Sequence, residues 1–425
     1  MTPADLTDPV LDANWKGFPP TAGSLRRSAV GAQGWNVLRG DLPLPLAVVH
    51  RDTLAHNLRW MQDLVERAGI DLAPHGKTTL SPQLFKAQLD AGAWGITVAS
   101  VGQVSIAVAA GARRVLIANQ VLQAVELSAL AALRRDNPGL LAPFLLDSPA
   151  QLAAIEAWHT QTGAAPVDVL LELGLAGGRT GCRTDAEALA LARSARHSLA
   201  AQLVGVECYE GLWAKGDDAA DTALVDSLMR RVHQLAAQAE AEGLFETDEV
   251  LVTAGGSAVF DLVARALRPA LRRPVRALLR AGCYVTHDDG FYRRMGQAVN
   301  RRLGCASGLQ AALRVWCVVQ SMPEPGLAVL GAGKRDVSSD MGLPVALVVS
   351  PDGSRATRPA PAHWQIDALN DQHAYLRLGA DAAGLQVGDR VALGISHPCA
   401  TFDRWRWLAV VDDDLNVVDA ITTCF

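Results

Sequence analysis

The stretch "LAPHGKTTLS", residues 72–81, sets Lys77 between a His75-Gly76 turn and two threonines, directly after the apolar pair Leu72 and Ala73. On an ordinary surface such a lysine keeps its ammonium in water and lays its stem on apolar neighbours. At the C-terminal end of a barrel strand it points into the place where that architecture does its chemistry, and there desolvation or a carbonyl cofactor turns the amine into a nucleophile. A second candidate lies far downstream in "GISHPCATFD", where His397 and Cys399 are two positions apart. On extended backbone both side chains would share one face, and an imidazole and a thiolate can share one zinc ion. No CxxC or HxxxH supplies further ligands, so a metal held here keeps positions open for water or substrate. The same two residues also read as a buried histidine beside an inert cysteine.

Anion-binding chemistry is suggested at two further places. "TAGGS" contains Gly255, Gly256 and Ser257, and "AGCY" contains Gly282, Cys283 and Tyr284; each closes an apolar run. Paired glycines leave backbone N–H groups uncovered for an anion, and the loops after the seventh and eighth strands are the usual phosphate cradle of a (β/α)8 barrel. "GLAGGRTG", residues 174–181, resembles the glycine fingerprint of dinucleotide-binding folds but follows the fifth strand of a continuing series, not the first. Its useful residue is Arg179, which could hold an anionic oxygen at a strand end or simply be a solvated loop arginine. Tyr209, in "ECYEG", ends the sixth strand, where it either reaches the mouth or packs in the core.

The elements that must position these residues alternate along the chain. A helical stretch at about 53–68 puts Leu54, Leu58, Met61 and Leu64 on one face. Eight apolar runs follow: "IDLAPHG", "GITVAS", "RVLIAN", "APFLLD", "VDVLLEL", "LVGVECYE", "EVLVTAGG" and "ALLRAGCY". Strands that are apolar without strict alternation, separated by helices, indicate a parallel sheet buried on both faces, and eight such units match a (β/α)8 barrel. From about residue 305 short alternating segments punctuated by Pro-Gly, Asp-Gly and Asp-rich turns predict a mostly antiparallel β domain. The strand-like "LPLAVVH" has no place in the count of eight and is expected to join that second domain.

Composition narrows the function classes. The net charge of the 425-residue chain is -5, and pairs such as Arg272-Arg273 and Arg293-Arg294 are too short to form a basic stripe, which argues against a nucleic-acid partner. No apolar run is long enough to cross a bilayer, so no membrane partner is expected. The acidic N-terminus lacks the basic and apolar regions of a signal peptide. Seven irregularly spaced cysteines do not form a disulfide framework, and a cytoplasmic location fits best.

These motifs together resemble the fold-type III pyridoxal-phosphate enzymes of the D-serine dehydratase and D-threonine aldolase group, over nearly everything from about residue 40 to the C-terminus. The resemblance implies an α/β fold, an alanine-racemase-like (β/α)8 barrel followed by a mostly antiparallel β domain. It divides the chain into an N-terminal segment (1–45), a cofactor-binding barrel (46–304) and a β domain (305–425) carrying the metal pair. It makes Lys77 the catalytic lysine that covalently carries pyridoxal 5'-phosphate, flanked by His75 and Thr78. Gly255, Gly256 and Ser257 would bind the phosphate, Tyr209 would lie near the pyridine ring and Arg179 near the phenolic oxygen. Gly282, Cys283 and Tyr284 match a G-x-Y element, His397 and Cys399 match an H-x-C metal pair, and "GAGKRDVSSD", residues 331–340, matches a further stretch of the family. Ala73 stands where an arginine is often found, and Tyr209-Glu210-Gly211-Leu212 departs from the frequent Y-x-G-H, which implies a different substrate pocket.

The implied function is a pyridoxal-phosphate- and zinc-dependent D-serine dehydratase, a D-amino acid deaminase giving pyruvate and ammonia, with related β-hydroxy D-amino acids as further substrates. In this family the H-x-C pair goes with dehydratases, and an acidic second ligand with aldolases. Retro-aldol cleavage of the D-threonine aldolase kind is the alternative. An amino acid racemase would need a second acid/base on the other cofactor face, and a non-catalytic cofactor carrier would have no use for a metal. A homodimer is the expected assembly.

Overall fold

The computed structural model describes residues 3–379 and 382–425. Eight parallel strands form one sheet: Asp71–Leu72, Ile96–Val98, Val115–Gln120, Phe144–Leu146, Val167–Leu173, Ala201–Cys208, Val250–Ala254 and Val275–Leu279. The first pairs with the eighth through Leu279↔Leu72, and a bridge between His75 and Thr97 joins the first β/α unit to the second, closing the ring. Each strand is followed by a helix, from Pro82–Asp90 after the first to Phe291–Leu303 after the eighth. The eight apolar runs read from the sequence are these eight strands. They lack alternation because both faces are covered: all seven residues of Val167–Leu173 are buried.

Side chains from seven of the eight β/α units fill the lumen. Ala73, Leu116, Leu145, Leu170, Val204, Leu251 and Leu278 form one buried cluster. Two residues further along their strands, on the same face, come Glu172 and Arg280, so the lumen turns from apolar to charged toward the C-terminal mouth. Arg280 is ion-paired with Glu207, and both are buried.

The second sheet has ten strands. Leu313–Glu324 is central, antiparallel to Leu327–Leu330 and to Arg390–Gly394. Leu46–His50 lies in this sheet, antiparallel to Leu313–Glu324 and parallel to Trp407–Val411, and the barrel's chain opens with the helix Arg51–Arg67. The residues before it cover one face of the sheet, where Leu11, Phe18, Val30 and Val37 pack on Trp316 and Trp407. Among the described residues no helix is long and apolar enough to cross a membrane.

The two domains meet beside the first barrel helix. Pro82 at its first position and Ser81 as its cap, accepting the Leu84 N–H, start this helix five residues after Lys77. Its Leu84 is packed in the β-domain core, and Gln83 binds the Thr422 backbone. The β domain is therefore held against the end of the barrel from which Lys77 projects.

Candidate active site

Lys77 sits in a short turn, Gly76–Thr78, just past the first strand. A Cβ at Gly76 would lie 2.5 Å from the Phe85 ring, so only glycine lets the chain pass this close to its own following helix. The amine is accessible from the mouth yet flanked by protein on most sides. Desolvation lowers its pKa; the Cys399 and Cys283 thiols oppose this, and the Arg179 and Arg280 cations reinforce it. His75 is kept neutral by burial and by the charges of Lys77, Arg280 and Arg179, and its Nδ1 is buried without a hydrogen-bond partner.

Tyr209 follows the sixth strand, and the Arg179 guanidinium stacks on its ring at 4.6 Å. A Cβ at Gly256 would come within 2.9 Å of that ring, which ties the glycine loop to the tyrosine by shape. Gly255 has φ +99°, a left-handed value that favours glycine. The N–H groups of this pair are not uncovered, as the sequence suggests. Glu210 accepts both, from Gly255 at 3.1 Å and Gly256 at 2.7 Å, because its buried carboxylate needs donors as much as the loop needs an acceptor. Anion donors at this rim fall instead to Ser257, whose Oγ receives the Gly282 and Cys283 N–H groups at 3.3 and 3.1 Å and keeps its own hydrogen to donate. Gly282 passes so near the first strand's end that a Cβ would lie 2.5 Å from the His75 carbonyl oxygen.

Cys283, Cys399 and Thr78 converge from three segments. The two sulfurs are 3.5 Å apart, and Thr78 Oγ1 is 3.4 Å from Cys399 and 3.8 Å from Cys283. Hydrogen bonds from the Cys399 thiol and from the Tyr292, Thr78 and Ser257 hydroxyls pull the Cys283 pKa down, while Cys399 is correspondingly raised. All seven cysteines of the chain are free.

His397 and Cys399 are not on one extended strand. His397 is extended, but Pro398 opens a one-turn helix, Pro398–Phe402, since its fixed φ and missing N–H suit a first helical position. Cys399 thereby reaches the barrel, and His397 turns to Asp340, its Nδ1 2.6 Å from the carboxylate. Asp340 ends the stretch "GAGKRDVSSD". Among the described residues no three His, Cys, Asp or Glu side chains converge at metal-bonding distance. Tyr284 is also apart from the mouth. Its ring belongs to the core between strands and helices, and its hydroxyl accepts from Gln88 at 3.3 Å.

Sequence reasoning missed Glu207, Glu210, Arg280, Tyr292 and Asp340. Glu207 and Glu210 stood inside "ECYEG", Arg280 inside "ALLRAGCY" and Asp340 at the end of "GAGKRDVSSD", so only Tyr292 lay outside every stretch already singled out. The residues present suit pyridoxal phosphate: an amine of lowered proton affinity, an aromatic face, a rim of N–H and O–H donors and an orphaned imidazole nitrogen. They also suit a divalent metal, since Cys399 is a soft donor and the Asp340 bond to Nδ1 leaves His397 Nε2 as the ligand nitrogen.

Comparison with known proteins agrees. The alanine racemase N-terminal domain family matches residues 49–282, more than half the chain, and the putative serine dehydratase domain family matches residues 312–411. The chain is 28% identical over 357 residues to the D-threonine aldolase of Arthrobacter sp, covering 84% of this chain and 86% of that one. It is 28% identical over 383 residues to the D-threo-3-hydroxyaspartate dehydratase of Delftia sp. (strain HT23), covering 85% and 92%. The solved structure of that dehydratase superposes with a TM-score of 0.73 at 25% identity over 92% of this chain and 99% of that one. The D-threonine aldolase from Filomicrobium marinum shares the fold, with a TM-score of 0.75 at 22% identity over 92% and 97%. A barrel ending in Lys77, closed over by a serine-dehydratase-type β domain and matched over both parts, places the chain in the fold-type III pyridoxal-phosphate lyases of the D-serine dehydratase and D-threonine aldolase group.

Proposed function

We propose that this protein is a pyridoxal-phosphate- and zinc-dependent dehydratase of β-hydroxy D-amino acids, with D-serine converted to pyruvate and ammonia, and that it works as a homodimer. The observation that carries this reading is the meeting of the two domains. Cys399 of the β domain stands against the barrel turn that carries Lys77, its sulfur 3.4 Å from the Thr78 hydroxyl and 3.5 Å from the Cys283 sulfur. When bound, the cofactor withdraws electrons from the substrate Cα, and the metal supplies a Lewis acid for the β-hydroxyl, a poor leaving group. Lys77 would hold the cofactor and then take the Cα proton at Nζ, a task that a lowered pKa favours. Tyr209 would lie near the cofactor's pyridine ring, with Arg179, stacked on Tyr209, near its phenolic oxygen, and the Ser257 hydroxyl would donate to its phosphate. His397 and Cys399 would hold the metal, with Asp340 fixing the imidazole.

Support for dehydration over aldol cleavage comes from the metal pair. The dehydratase from Delftia sp. has been solved as a histidine-to-alanine variant and, metal-free, as a cysteine-to-alanine variant, and those two positions lie two apart, like His397 and Cys399. Product analysis tests the reading. D-serine is expected to give pyruvate and ammonia, and D-threonine mainly 2-oxobutyrate. Glycine with formaldehyde or acetaldehyde as the main products would make the enzyme an aldolase.

A further inference from the structure

We infer that Arg183 is a positioning residue for Arg179: its guanidinium shapes the loop that delivers the Arg179 side chain to the cofactor's phenolic oxygen. The inference rests on the placement of Arg179 proposed above. Arg179 sits in "GLAGGRTG", residues 174–181, between the strand Val167–Leu173 and the helix Asp185–His197. Four of those eight residues are glycines, and Gly177 and Gly181 have φ +74° and +95°. Glycine backbone loses more freedom on ordering than any other. The loop therefore needs bonds from outside itself to hold Arg179 in one place.

Arg183 supplies those bonds. Its Nη1 donates to the Thr180 and Gly181 carbonyls at 2.7 and 2.9 Å, and its Nη2 donates to the carbonyls of Gly178 and of Arg179 itself at 3.0 and 2.6 Å. One planar fork thus gathers four successive carbonyls around it. A Cβ at Gly174 would collide with Nη1, so glycine there leaves room for the guanidinium. The base of the loop is closed separately. The Gly174 N–H donates to the Cys182 carbonyl at 3.0 Å, and Arg231, from the helix Asp218–Ala241, donates to the Gly174 and Cys182 carbonyls at 2.6 and 3.1 Å. Loss of Arg183 therefore frees the tip and leaves the base. At the tip, Arg179 stacks on Tyr209, and a Cβ at Gly178 would lie 2.5 Å from the Trp213 ring. A lysine at 183 would bring a compact ammonium with three donors, which cannot span four carbonyls as the fork does.

The experiment titrates the visible band of the cofactor-loaded protein with pH, in wild type, Arg179→Ala, Arg183→Ala, Arg183→Lys and the double alanine variant. A cation beside the phenolic oxygen favours its ionised form and disfavours a neighbouring proton, so Arg179→Ala should raise the midpoint by about one pH unit. Arg183→Ala should raise it in the same direction by about half as much, and the double variant should match Arg179→Ala alone, because Arg183 acts through Arg179. Arg183→Lys should not restore the wild-type midpoint; it keeps the charge, and it carries the test where the alanine chain does not fold. A wild-type midpoint in the Arg183 variants beside a shifted one in Arg179→Ala would overturn the inference and leave the placement of Arg179 standing. Additive shifts in the double variant would likewise overturn it, since Arg183 would then act without Arg179. An unshifted midpoint in Arg179→Ala would overturn the inference together with that placement.

Discussion

The chemistry of the site depends on how individual side chains are held. The amine of Lys77 is flanked by Arg179 and Arg280 and is partly withdrawn from water, and both effects favour its neutral form. Because its pKa is lowered, the basic form appears at lower pH than for an ordinary lysine near 10.4. The rising limb of kcat against pH should therefore lie below that value, and kcat still climbing through it would remove Lys77 as the Cα base. Asp340 acts one residue further out, through the 2.6 Å bond to His397 Nδ1. Asp340→Asn should weaken metal affinity by about 10- to 100-fold while leaving cofactor absorbance unchanged. Equal metal affinity in variant and wild type would show the bond to be incidental.

At the scale of elements, strand ends and tight turns set the geometry. Glu210 holds the Gly255-Gly256 turn against Tyr209 through two N–H groups. Glu210→Ala would strand both donors in a buried place, at roughly 1–3 kcal/mol each, and Glu210→Gln would keep one acceptor. Denaturant unfolding and cofactor titration should rank wild type above Gln above Ala in both stability and cofactor affinity; an Ala variant as stable as wild type would mean the loop has other acceptors. The barrel itself was legible, because eight apolar runs separated by helical stretches allow few other arrangements. The glycine pair was legible as a strand-end feature but not as a bonded one, since nothing in "ECYEG" says that the glutamate beside Tyr209 turns back onto the loop. The His397–Cys399 pair was legible as chemistry, whereas its geometry was not: Pro398 converts the expected extended segment into a helix start. Cys283 was read only as part of a phosphate-side element, because its nearness to Cys399 exists only once the two domains meet.

At the scale of the whole molecule, the site is a seam. Lys77, Thr78 and Cys283 come from the barrel, and His397, Cys399 and Asp340 from the β domain. The seam is fastened at its edge where the Cys424 N–H donates to the Leu80 carbonyl at 2.9 Å and Gln83 binds Thr422. A metal held by His397 and Cys399 would stabilise the folded chain by about 2.7 kcal/mol at a free concentration 100 times its Kd. Chelation should therefore lower Tm, and an unchanged Tm would mean that no metal is bound there. The central claim is that Lys77 carries the cofactor, and borohydride reduction followed by peptide mapping tests it most directly. The chain has five lysines: Lys16, Lys77, Lys86, Lys215 and Lys334. Reduction should fix the cofactor on the peptide containing Lys77 alone, and Lys77→Ala should lose both the label and turnover; a label on Lys86, Lys334 or any other lysine of the wild type would contradict the account.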